Sequence, residues 1–381
     1  MPKISRREFL LTLAAGAGGL ALDQFLAACA RKGALLEPTP ADGIPAATQV
    51  KPAPGPSQAA TRSQSLTDKP AEADSSGDVA PGTEPAPSTT SGPSSVSDLV
   101  VARSSDLADE QVDEIVRRAL AALGGVQKFV PKGASVIIKP NIKGASVIIK
   151  PNICVAYHSY EYAATTNPWV VAALVKMCLE AGAESVRVMD SPFGGTAERA
   201  YAVSGIEEQV KAAGGEMVLM PGFKYVSTDI PEGVDLSSCD IFDDILRADV
   251  LINVPIAKHH SLARLTLGMK NLMGVIRDRP AMHRNLGQRL ADLTSRVRPT
   301  LTVIDAVRIL MANGPTGGNL DDVKQLNTLI AGADIIAADS YAATLFGMKP
   351  EDLDYVRAGA AMGLGRSDIH NLKIEEISVG A

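Results

Sequence analysis

The densest run of chemically capable side chains lies between Asn253 and His283. It reads Asn253-Val-Pro-Ile-Ala-Lys258-His259-His260, then Thr266, Lys270-Asn271 and Gly274, with His283 beyond. Three of the chain's five histidines fall here. Ammonium groups at Lys258 and Lys270 and an imidazole at His260 can hold an anion or move a proton, so these three are the candidate catalytic residues. Adjacent side chains point apart in any regular structure, so only one of His259 and His260 is expected to face a site. Thr266 and Lys270 are four residues apart and on a helix would share a face. The alternative for this run is a solvated basic helix. A divalent metal on His260, His283 and Asp190 is a further option, although no HxH or HExxH spacing accompanies it.

Three other segments carry polar groups suited to a ligand. Lys150-Pro151-Asn152 follows an apolar run, and the proline throws Lys150 and Asn152 into a loop where an ammonium and an amide suit an anion or a carbonyl. Asp190-Ser-Pro-Phe-Gly194-Gly195-Thr196 places a carboxylate and two glycines before a helix expected at Ala197. Glycine permits close backbone approach to a phosphate or carboxylate, so Gly194 and Gly195 join Lys150, Asn152 and Asp190 as ligand-binding candidates. Neither GxGxxG nor a Walker loop is present. Asn313-Gly-Pro-Thr-Gly-Gly-Asn319 is a third glycine-rich loop, and Asp334 is placed to cap a helix.

These segments need a scaffold. From Asp98 onward, short apolar runs alternate with amphipathic stretches. Strands are expected at 146–149, 185–189, 216–220, 250–254, 301–304, 328–330 and 372–379. Helices are expected at 109–123, 168–181, 207–213, 286–297, 335–346 and 351–362. Alternation of this kind predicts an α/β fold: a layered, mostly parallel sheet with helices on both faces. Ligands of such sheets sit at the carboxyl ends of strands, where the polar segments above fall.

One irregularity intrudes. Lys132 to Ile142 recurs without change as Lys143 to Ile153. Eleven is odd, so sliding a strand by one copy would reverse which side chains face the core. The second copy, Ala145 to Lys150, is expected to fill the strand, because it connects directly to Cys154.

Composition narrows the function. The chain has 381 residues, 46% apolar and 21% charged, with a net charge of −6 and no basic block in the folded part, which argues against nucleic acid. Aromatics are 4%, with one tryptophan, so stacking platforms are not expected. Cys29, Cys154, Cys178 and Cys239 show no CxxC spacing, so no iron–sulfur cluster is expected.

The first hundred residues differ in kind. Ser5-Arg6-Arg7-Glu8-Phe9-Leu10 precedes an apolar, glycine-rich run, the pattern of a twin-arginine signal peptide over residues 1–30. Leu26-Ala27-Ala28-Cys29 reads as a lipobox with Cys29 as the lipidated residue; ordinary cleavage at Ala28-Cys29-Ala30 is the alternative. Residues 31–97, rich in Pro, Ser, Thr and Ala, read as a disordered linker, so the N-terminal third is expected to be disordered and residues 98–381 to fold. These readings imply passage through the twin-arginine export machinery, a lipid anchor in a membrane, and a folded domain on its periplasmic or extracytoplasmic face.

Taken together, Lys-Pro-Asn, Thr166-Asn167-Pro168, Asp190-Ser191, Lys258-His259-His260, Lys270-Asn271-Leu272-Met273-Gly274, Gly314-Pro315 and Ala337-Ala338-Asp339 resemble the uncharacterised family called domain of unknown function 362. The resemblance spans about residues 98–381, and Lys258 to Gly274 is its most specific part. It adds Thr166 and Asn271 to the ligand-binding candidates. Many relatives carry a ferredoxin-like domain, whose cysteines are missing from this sequence. Motif order is also faintly similar to the nickel-pincer lactate racemases. The functions implied are an enzyme acting on a small anionic substrate, a non-catalytic ligand- or metal-binding lipoprotein, or, more distantly, a racemase-like isomerase.

Overall fold

The computed structural model describes residues 97–130 and 145–380. The signal, lipobox and linker readings, with the expected N-terminal disorder, fall outside the described residues.

The chain enters through β1 (Leu99–Arg103) and α1 (Val112–Ala122). One face of α1 buries Val112, Ile115, Val116, Ala119 and Leu120, and each large member stabilises by about 2 kcal/mol through burial alone. Next come β2 (Ser146–Pro151), α2 (Pro168–Glu180), β3 (Ser185–Val188), α3 (Ala197–Val203), α4 (Ile206–Ala212) and β4 (Glu216–Met217). Asn167 caps α2 by accepting from Trp169 N–H, and Pro168 starts it, where no amide donor is needed. A hairpin of β5 (Tyr225–Asp229) and β6 (Ser238–Phe242) leads to α5 (Asp243–Arg247). Then follow β7 (Val250–Val254), β8 (Ile256–His260), β9 (Arg264–Thr266), α6 (Gly268–Asn271), α7 (Arg279–Met282) and α8 (Leu286–Arg296). Finally β10 (Leu301–Leu310), β11 (Val323–Gly332), α9 (Ile335–Thr344), α10 (Asp354–Ala361) and β12 (Ile374–Ser378) complete the domain.

The main sheet has the order β12-β1-β11-β10-β7-β2-β3-β4, with β8 on β10 and β9 on β8. Pairs along β10-β7-β2-β3-β4 are parallel, as are β1 with β12 and β10 with β8; β11 is antiparallel to both its neighbours, and β9 to β8. Helices cover both faces. Val147 and Ile149 of β2 join α1 and α2 in one hydrophobic cluster. Ile148 joins residues of α6, α8 and α9 in another. The sheet is therefore mixed, mostly parallel and α/β, as the alternating pattern predicts.

The second repeat copy occupies the centre of the sheet, between β3 and β7. Its register puts Lys150 on the Ile148 face. The first copy, Lys132 to Ile142, lies outside the described residues.

Several boundaries differ from expectation. The strand from Leu301 runs on to Leu310, because β11 returns antiparallel beside its whole length. The strand from Glu216 stops at Met217, at the sheet edge. β1, the β5–β6 hairpin, β8 and β9 are strands the apolar pattern does not reveal. β8 is the consequential case: Lys258-His259-His260 is polar, yet it pairs with both β9 and β10.

A buried cationic cavity at the strand ends

Beyond the carboxyl ends of β2, β3 and β7 lies a cavity of about 360 Å3. Its floor is a hydrogen-bonded lattice. Lys150 Nζ donates to Asp190 Oδ1 at 2.7 Å, Pro151 O at 3.0 Å and Asn271 Oδ1 at 3.1 Å. Both charged partners are almost fully buried, so each stabilises the other against desolvation. The second oxygen of Asp190 accepts from Ile153 N–H at 2.7 Å, which fixes the loop after β2. Burial pulls the Lys150 ammonium below the ordinary lysine range, and Asp190 opposes that pull.

Asn271 is the hub. Its Oδ1 also accepts from Asn152 Nδ2 at 2.9 Å, and its Nδ2 donates to Asn253 Oδ1 at 2.9 Å. Thr166 stands behind the wall, fully buried. Its hydroxyl accepts from Asn152 N–H and donates to Val254 O, so it ties the loop after β2 to the end of β7.

Lys258 reaches the cavity from β8. Its Nζ donates to Asn152 Oδ1 at 2.9 Å, Ala164 O at 2.6 Å and Pro315 O at 2.9 Å. All three acceptors are neutral. Lys258 is 1% exposed and has no carboxylate partner among the described residues, and burial lowers its pKa against the opposing pull of Cys154 and the more distant Asp190.

His260 shares the cavity side of β8 with Lys258, two residues away, whereas His259 turns aside and accepts from Gly314 N–H through Nδ1 at 3.1 Å. His260 Nδ1 accepts from Leu262 N–H at 3.1 Å and Ala263 N–H at 3.3 Å. The neutral ring must therefore carry its proton on Nε2. Burial, followed by the Lys270 and Lys258 charges, pushes its pKa down to about 3, so it is neutral at physiological pH.

Lys270 and Asn271 are presented by α6. Asp339 holds that short helix by accepting from Gly268 N–H at 2.6 Å and Met269 N–H at 2.9 Å. Lys270 lines the cavity but has no hydrogen-bond acceptor among the described residues. Burial, then the charges of Lys258 and Arg279, lowers its pKa to about 8. Thr266 also lines the cavity, at the end of β9 rather than on a helix with Lys270. Its hydroxyl is buried and has no partner. Gly274 closes the motif for a steric reason. A Cβ there would fall inside van der Waals contact of Asp190 Oδ1 and 2.7 Å from Lys150 Nζ.

Not every candidate meets the cavity. Gly194 and Gly195 pack on the loop after β2: Gly194 bridges Val155, and a Cβ on Gly195 would strike Ala156. Gly194 N–H is already donated to Cys154 O. Their small size serves loop packing. The proposed metal set, His260, His283 and Asp190, does line the cavity, but not as a metal site. Among the described residues no cluster of three His, Cys, Asp or Glu side chains could hold a metal ion. Asp190 is engaged through both oxygens, and a neutral His260 carries its proton on the nitrogen that would have to coordinate.

Sequence reading missed four contributors. Arg279 lines the cavity while donating to Ser191 O at 2.6 Å and Pro192 O at 3.4 Å. Cys154, two residues past Asn152, lines it as a free thiol whose Sγ donates to Pro315 O at 3.4 Å. Phe193 and Leu262, 72% and 64% exposed, make an apolar rim. Only Cys154 carried a signal, its closeness to Lys-Pro-Asn.

The chain is 26% identical over 258 residues to a thylakoid-associated protein of Synechocystis, an alignment covering 65% of this chain and 74% of that one. Among solved structures, the lactate racemase apoprotein from Thermoanaerobacterium thermosaccharolyticum aligns at 12% identity with a TM-score of 0.38. That alignment covers 65% of this chain and 56% of the racemase. Among the described residues no helix is long and apolar enough to cross a membrane. The model of the domain of unknown function DUF362 matches residues 147–344, more than half of the sequence and every residue of the cavity, and the chain belongs to that family.

Proposed function

We propose that the cavity binds a small anionic ligand, a carboxylate or a phosphate. One observation carries this reading. Lys150, Lys258, Lys270 and Arg279 all line the cavity, and the single carboxylate beside them, Asp190, is committed to Lys150. Three cations are left with no acidic partner among the described residues. A bound anion supplies the missing charge, in surroundings where Coulomb attraction is several-fold stronger than in water. Roles divide by hydrogen bonding. Lys258 is spent on three protein oxygens and contributes its field. Lys270 has its donors free for the ligand, and neutral His260 can only donate, from Nε2. Lys150, Asn152, Asp190 and Asn271 hold the floor in shape, and Thr166 braces it.

Thermal denaturation of the purified full chain with acetate, oxalate, phosphate and sulfate tests this. A concentration-dependent rise in melting temperature is expected with at least one of them, because a ligand that binds only the folded state stabilises it. The rise is expected to shrink in Lys270→Met and in Arg279→Met. No rise with any of the four anions would overturn the reading.

The reading extends to location. The twin-arginine pattern and the Leu26-Ala27-Ala28-Cys29 lipobox support export and lipid attachment at Cys29. The membrane association in the name of the Synechocystis relative points the same way. Labelled palmitate incorporation that disappears in Cys29→Ala is expected; no incorporation into the unaltered chain would remove the anchor.

A further inference from the structure

The three lysines of the cavity differ in one respect that decides their chemistry. Lys150 and Lys258 each offer three N–H donors to three protein acceptors. An amine has only two donors, so these acceptors favour the ammonium form of both, against the burial that lowers their pKa. Lys270 has no acceptor, no carboxylate partner, and the charges of Lys258, Arg279 and Lys150 around it; Cys154 is the one nearby group able to oppose them. Among the described residues nothing holds its third proton.

From this contrast we propose that Lys270 is a nucleophilic amine that forms a Schiff base with an anionic carbonyl compound of the 2-oxo acid class. The proposal rests on the anion reading above, because Arg279 and the field of Lys258 must hold the carboxylate. A second feature points to a carbonyl. Thr266 is 3% exposed and lines the cavity, and its buried hydroxyl has no partner among the described residues. Together with His260 Nε2–H it supplies neutral donors, which suit a carbonyl oxygen better than a second charge.

The step balances without a co-reactant. The Lys270 lone pair forms a C–N bond to the carbonyl carbon as the C=O π bond breaks, and the nitrogen's surplus proton passes to oxygen, giving a carbinolamine. The C–O bond then breaks, a second proton accompanies the oxygen, and water leaves as C=N forms. With its pKa held at about 8, roughly a tenth of Lys270 is free amine at pH 7, against well under a hundredth for an ordinary lysine.

Reductive trapping tests the proposal. The full chain is incubated with pyruvate and cyanoborohydride at pH 7, then examined by intact mass and peptide mapping. One adduct is expected, on Lys270, with a mass gain of pyruvic acid less one oxygen. It should be suppressed by oxalate, which carries no reactive carbonyl, and lost in Lys270→Arg, which keeps charge without the nucleophile. If that variant fails to fold, mapping and oxalate protection in the unaltered chain still decide. No adduct on Lys270, or adducts scattered over lysines and insensitive to oxalate, overturns the imine. An oxalate-induced thermal shift that persists in that case leaves the anion site standing; its loss removes both.

Discussion

Replacing Gly274 by alanine tests whether the glycine exists to make room for the buried ion pair. The added Cβ would overlap Asp190 Oδ1 and lie 2.7 Å from Lys150 Nζ and 2.8 Å from its Cε. Neither neighbour is the loose end of a surface chain. Lys150 is 1% exposed and has three acceptors, and Asp190 is 2% exposed and holds Ile153 N–H through its other oxygen. Relief therefore requires separating the pair or shifting α6 and the loop behind it. Overpacking alone costs about 1–3 kcal/mol. Breaking a buried pair so that one charge is left uncompensated costs about 3–5 kcal/mol. The two costs are alternatives more than additions, so the expected loss is about 3–4 kcal/mol. For a domain of this size that lowers the melting temperature by roughly 10 °C. Guanidinium titration of the full chain, followed by circular dichroism, measures the loss. A Gly274→Ala variant within about 0.5 kcal/mol of the parent would refute the packing argument. Gly222→Ala is the control, since a Cβ there meets nothing within 4 Å.

Three further outcomes follow from the cavity. Lys270 has a folded-state pKa of about 8, lowered from the usual 10.5, so binding of an unreactive anion should weaken as pH rises through about 8, while the pyruvate trapping rate should climb through the same inflection. Lys258→Met removes one of the charges that depress Lys270, so that inflection should move upward toward the ordinary lysine range; an unmoved profile in a folded variant would exclude Lys258 as a cause. Lengthening the 2-oxo acid should lower the concentration for half-maximal trapping by up to about fourfold per methylene, since each buried methylene contributes about 0.8 kcal/mol against the Phe193–Leu262 rim; Phe193→Ser should blunt the series.

The parallel layers were legible because β2, β7 and β10 are buried on both faces and read as short apolar runs, while β3 alternates. Helices α1, α2 and α8 were legible from their faces, and the cap at Asp334 from residue type. What stayed hidden is what tertiary contacts decide. β8 is polar by composition and a strand only because β9 and β10 supply its ladder. Gly194 and Gly195 have the look of an anion loop, yet the Gly194 N–H goes to Cys154 O and their missing side chains make room for Val155 and Ala156. The fate of His260 was equally invisible. A histidine in a basic run suggests an acid–base group, but two backbone N–H donors on Nδ1 remove it from that role.

The spacing from Lys270 to Gly274 then has one physical explanation. Asp339 fixes the start of α6, and the helix delivers successive residues to different tasks. Lys270 projects into the cavity without a partner, Asn271 joins Lys150, Asn152 and Asn253 beneath it, and Gly274 leaves space for the Lys150–Asp190 pair. A buried carboxylate neutralises the lysine that supports the floor. Among the described residues no carboxylate neutralises Lys270, the lysine proposed to meet the ligand. A protein that needed only stability would gain by pairing or removing that second charge, since an unpartnered buried cation is a cost with no structural return. An unpartnered lysine beside three other cations is what a binding site requires and a core does not, so the asymmetry between Lys150 and Lys270 is the strongest physical argument for the proposed anion site.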